Sequence, residues 1–75
     1  MPNVSLLRGK IAEAGLSQRK IAQIIKEQYP NVSLGLNALN RKVNGKKSFA
    51  TNEIKAICEI LEITDPVLKD KIFLQ

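Results

Sequence analysis

Asn37, Asn40 and Arg41 fall within five positions of one another, with Arg19 upstream and Lys42, Lys46 and Lys47 close behind. An asparagine amide offers a donor and an acceptor side by side, and a guanidinium offers parallel donors. Such groups recognise flat edges carrying matching acceptors and donors. Asparagine pairs with the N6/N7 edge of adenine and arginine with the O6/N7 edge of guanine, each pair giving about 1–3 kcal/mol of discrimination against a wrong base. Ala38, between them, is small and apolar enough to touch a thymine methyl. The same residue types are also ordinary cover for an exposed helix, so what matters is whether they share a face.

The apolar spacing says that they do. Leu36, Leu39 and Val43 recur at intervals of three and four. With these turned inward, a step of about 100° per residue puts Asn37, Ala38 and Arg41 on the opposite side, with Asn40 and Lys42 flanking. A helix over about 34–44 is expected, closed at Asn44-Gly45, where glycine takes the left-handed conformation.

The remaining segments must hold that helix. Val4, Leu7, Ile11 and Ala14 share a face, with Asn3 or Ser5 as N-cap and Gly15 as the stop. Ser17 reads as the next N-cap, Leu16 and Ile21 as its hydrophobic staple, and Ile21, Ala22 and Ile25 as the inward stripe of a helix from Gln18 to about Gln28. Pro30 ends that helix by Tyr29, and residues 31–35 are turn-like. Thr51 caps a further helix with Glu53 in its first turn and Ile54, Ile57, Cys58 and Leu61 as its stripe. Asp65-Pro66 opens a short last turn before Ile72-Phe73-Leu74. Strand alternation is missing, so the expected fold is all-α: one domain over 1–75, a small orthogonal bundle of four to five helices.

Charge is unevenly divided. Residues 1–47 hold nine cations against two anions, a net of +7, whereas residues 48–75 hold three against five, a net of −2. Lysines also solvate any exposed helix, but an excess confined to one part is the footprint of a polyanionic partner. Nucleic acid leads; an anionic membrane surface is the other candidate, and the cations do not share one face of one long amphipathic helix.

Other classes are disfavoured by what the chain lacks. One cysteine excludes an internal disulfide framework, and without histidine the usual zinc sets cannot form, so no metal or cofactor is expected. Without a histidine base, a glycine-rich phosphate loop or a paired carboxylate set, an enzyme is not expected either. No apolar run approaches the length of a membrane span, and the first residues lack a signal-peptide core, so the cytoplasm is the default compartment. Cys58 reads as a small buried hydrophobe, and Tyr29 as a cap on the end of its helix or as a stacking ring.

The run Gly15-Leu16-Ser17-Gln18-Arg19-Lys20-Ile21-Ala22, then Leu39-Asn40-Arg41-Lys42-Val43-Asn44-Gly45-Lys46, then an amphipathic helix, resembles the lambda-repressor-like (Cro-like) helix-turn-helix family of phages and bacteria. Within it the chain is similar to short phage regulators of the Cro or modulator-of-repression type. Ser17 and Asn44 are 27 positions apart, farther than the family pattern sets them, and the surplus falls in 26–35, so a lengthened turn is expected.

The resemblance implies sequence-specific binding of double-stranded operator DNA by a phage or prophage-type transcriptional regulator. Asn37, Ala38, Asn40 and Arg41 would face the bases. Gln18 matches the family's phosphate-contacting glutamine, with Arg19, Lys42, Lys46, Lys47 and Ser48 as further phosphate partners. Relatives bind as dimers. Ile72, Phe73 and Leu74 form the candidate homodimer interface, unless Ile72 and Phe73 fold back onto their own core. A rival expectation is a small protein-interaction module that docks on a partner repressor and modulates it.

Overall fold

Side-chain oxygens placed ahead of apolar-periodic segments accept orphan amides and so start the helices. The computed structural model of the chain describes residues 3–73. Within them lie five helices: α1 (Val4–Glu13), α2 (Gln18–Gln28), α3 (Leu36–Val43), α4 (Thr51–Ile60) and α5 (Pro66–Phe73). Among the described residues there is no strand, and no helix is long and apolar enough to cross a membrane. The expected all-α bundle is the observed fold.

Asn3 Oδ1 accepts from the Leu6 N–H at 3.1 Å, which makes Asn3 rather than Ser5 the cap of α1. Ser17 Oγ accepts from the Lys20 N–H at 3.1 Å, and Asp65 Oδ1 from the Val67 N–H at 3.0 Å. The start of α4 differs from expectation. Thr51 is its first helical residue and Ala50 its N-cap, and the Ala50 N–H donates to Glu53 Oε1 at 2.8 Å. Only the carboxylate half of a capping box is therefore present: Glu53 reaches back to the N-cap amide, and no hydroxyl accepts from the first turn.

Three helices end alike. The Leu16 N–H donates to the Ile11 carbonyl at 3.2 Å, the Lys46 N–H to Arg41 at 2.9 Å and the Ile63 N–H to Cys58 at 2.9 Å, the 6→1 bond of a Schellman close. Each needs one left-handed residue: Gly15 (φ 70°), Gly45 (φ 79°) and Glu62 (φ 56°). Gly45 meets a second constraint, since a Cβ there would lie 3.0 Å from Val4 Cγ2. Absence of a side chain thus lets α1 lie directly on the end of α3. After α2 the Val32 N–H donates to the Tyr29 carbonyl at 2.9 Å, closing a turn over Pro30-Asn31. Seven residues, 29–35, separate α2 from α3, the lengthened connection read from the sequence.

The core is built from Leu7 and Ile11, Ile21 and Ile25, Leu39 and Val43, Ile57 and Cys58, and Ile72 and Phe73, so every helix contributes. Leu36, expected inward, is only half-buried, and Leu34 in the preceding loop takes the buried place. Helix α3 packs on α2 and α1, α4 on α2, and α5 on α1. Cys58 is a buried free thiol; burial pushes its pKa up, against a smaller downward pull from Lys69. The neutral, unreactive form is therefore favoured.

The candidate dimer interface does not survive. Ile72 is 0% and Phe73 7% exposed within the single chain. The Ile72 carbonyl accepts from the Asn3 N–H at 2.6 Å. The Phe73 ring meets Phe49 edge to face, centroids 5.4 Å apart at 89°. Ile72 and Phe73 thus fold back onto their own core, the alternative to an interface that the sequence left open; Leu74 lies outside the described residues. Ile72→Ala should lower stability by about 2–5 kcal/mol in urea unfolding and leave the sedimentation of the folded chain unchanged. Weaker self-association at full stability would put these side chains back on the surface. Glu62→Gly should raise stability by about 1 kcal/mol, because glycine takes the left-handed conformation without steric cost. A lower unfolding midpoint would contradict that conformation.

Candidate nucleic-acid interface

Helix α3 is fixed from behind by Leu39 and Val43, 1% and 0% exposed, so its opposite side must face outward. There Asn37, Ala38, Asn40 and Arg41 line one open depression together with Asn44, Lys46 and Lys47. Asn37, Asn40 and Arg41 are exposed, while Ala38 is half-buried and also touches the core. All four base-facing candidates of the sequence are thereby brought together, with two of the phosphate candidates at their edge. Neither Asn37 nor Arg41 has a side-chain partner within the described residues, so their donors and acceptors stay available.

The lysines owe their position to the loop that follows α3. The Schellman close at Gly45 turns the chain, and Phe49 anchors it again through Phe73. Between these fixed points Lys46, Lys47 and Ser48 are exposed. Gln18 and Arg19 sit at the start of α2, where unbonded N–H groups and the helix dipole suit a phosphate oxygen. Gln18 lines a second, neighbouring depression that it shares with Arg8, Ile11 and Ser17.

Lys42 does not join them. Its Nζ donates to both carboxylate oxygens of Glu53, at 2.6 and 2.8 Å, with side-chain exposures of 14% and 9%. One residue past Arg41 on the wheel, Lys42 is turned towards α4 rather than the depression. A phosphate would have to compete with a buried carboxylate for it, so Lys42 is a structural cation that ties α3 to α4.

Two residues missed by the sequence reading complete the surface. Arg8, on α1, donates from Nη2 to Asn44 Oδ1 across 36 positions of chain, and Asn44 Nδ2 donates to Asn40 Oδ1 at 3.2 Å. No local pattern flags this pair, because the contact exists only once α1 packs on α3. Its one sequence signal is the bare glycine at position 45, which lets the two helices approach. A polar line thus runs from Gln18 past Arg8 and Asn44 to Asn40.

Comparisons with protein-family profiles, with curated proteins and with solved structures give no match for this chain. What it does must be argued from its surface chemistry.

Lys42→Met should cost about 2–4 kcal/mol of unfolding free energy, because it strands the Glu53 carboxylate in a buried site. Lys47→Met should stay within about 0.5 kcal/mol. Equal small losses in thermal or urea unfolding would mean that Lys42 is a free surface cation after all.

Proposed function

We propose that the chain binds double-stranded DNA sequence-specifically, with α3 in the major groove, as a phage or prophage-type transcriptional regulator of the Cro-like repressor kind. The observation that carries this is the single outward depression in which two amides and a guanidinium of one helix meet two flanking lysines. Amide and guanidinium groups suit base edges, and the adjoining lysines suit a phosphate backbone. Arg41 reads a guanine edge, and Asn37, free at both ends of its amide, takes an adenine. Gln18, Arg19, Lys46, Lys47 and Ser48 hold phosphates and set the register without specifying sequence.

A second reading is favoured by one specific feature. The lengthened connection leaves an apolar groove lined by Ala22, Ile25, Tyr29, Pro30, Val32 and Leu36. That groove would suit a partner repressor which the chain docks on and modulates, with DNA contact incidental.

Selection of bound sequences from random duplexes, using the chain alone, separates the two. Three phosphate-bound cations, Arg19, Lys46 and Lys47, predict that log K falls with log salt at a slope of about −3 per chain. Arg41→Ala should relax one position of the selected site at a cost of about 1–3 kcal/mol there, whereas Lys46→Ala should weaken all duplexes about equally. A nearly flat salt response would remove the DNA reading and leave the docking module, and equal sequence-blind losses from both variants would mean that the wrong face has been assigned.

A further inference from the structure

We infer that Arg8, acting through Asn44, fixes the amide of Asn40 so that it reads guanine rather than adenine; this rests on the DNA reading above. A guanidinium can only donate hydrogen bonds. Because Arg8 Nη2 faces the Asn44 amide, the atom it meets must be the oxygen. The Asn44 Nδ2 hydrogens then point the other way, and the group they meet on Asn40 must again be an oxygen. Asn40 is left with its own Nδ2 on the far side, in the depression it shares with Asn37 and Arg41.

An unconstrained asparagine turns either face to a base, and its usual choice is adenine, which matches one donor and one acceptor. Asn40 has its oxygen turned to Asn44, which binds one of its two lone pairs, and its two amide hydrogens turned away. The major-groove edge that offers two acceptors is that of guanine, O6 and N7. Adenine offers the Asn40 hydrogens N7 alone and sets its N6 hydrogens against them, so one acceptor is lost relative to guanine. Arg8 touches no base in this scheme: it is a positioning residue whose donor-only character is relayed through two amides. Asn37, with no such partner, keeps the adenine role, so two asparagines on one helix face read different bases.

Asn44→Asp tests this, because it keeps Arg8 bound but replaces the donor that faces Asn40 with an acceptor. The Asn40 amide must then turn over and present its oxygen outward. In the wild-type chain, NMR should show the Asn44 side-chain hydrogens exchanging more slowly than those of Asn40; in Asn44→Asp the Asn40 hydrogens should become the slow pair. In duplex selection, guanine at the base pair facing Asn40 should give way to a base that donates, adenine or cytosine, with a change in preference of about tenfold. Arg8→Met, which removes the fixed donor, should relax that position alone, over and above a uniform loss from the missing cation.

The outcomes are distinguishable. Equal exchange of the two amides in the wild-type chain overturns the relay whatever the chain does with DNA. An intact relay with an unchanged base preference in Asn44→Asp overturns its role in specificity and leaves DNA binding standing. Failure of the wild-type chain to select any duplex overturns the DNA reading and this assignment with it.

Discussion

Glu53 is the one buried charged residue among those described, and the outward surface depends on how its charge is held. Its carboxylate receives both the Lys42 ammonium and the Ala50 N–H. A buried carboxylate left bare is costly, so the arrangement is all or nothing. By drawing Lys42 inward it fixes the rotation of α3 about its axis, and by holding Ala50 it starts α4. The stretch between these two anchors is the one that displays Lys46, Lys47 and Ser48. An interior ion pair thereby orients an exterior basic loop.

Positioning of the polar face comes from three directions. The core holds α3 by Leu39 and Val43, α4 holds it by Lys42, and α1 lies over its end, where Gly45 leaves room for Val4 and Arg8 reaches Asn44. Side chains that are locked by packing and by neighbouring hydrogen bonds recognise flat edges better than free ones, because less freedom is lost on binding. Asn40 is held in this way; Asn37 and Arg41 are not.

Local features of the chain were legible in the sequence. The Ser17 cap, the Gln18–Gln28 helix, the Asn44-Gly45 close and the outward set on α3 follow from turn chemistry and 3.6-residue periodicity, which act within a few positions. What escaped the sequence acts over longer separations or without a period. Lys42 and Glu53 are 11 positions apart and Arg8 and Asn44 are 36; nothing in either segment announces its partner. For Ile72 and Phe73 the sequence left interface and core both open, because their burial depends on where α1 and the 48–50 loop arrive. Leu34 was overlooked in favour of Leu36 because a loop entering a helix obeys no wheel. Thr51 yielded to Ala50 as the N-cap, whose amide the carboxylate at the third helical position holds.

The hydrogen bond from Asn3 to the Ile72 carbonyl brings the two ends of the described stretch together. The polypeptide is in effect a ring broken at one point, and the seven-residue connection 29–35 is the natural place for another break. A permuted gene that sealed the first gap and opened the second would keep all five helices and their neighbours while reversing the order in which the ribosome delivers them.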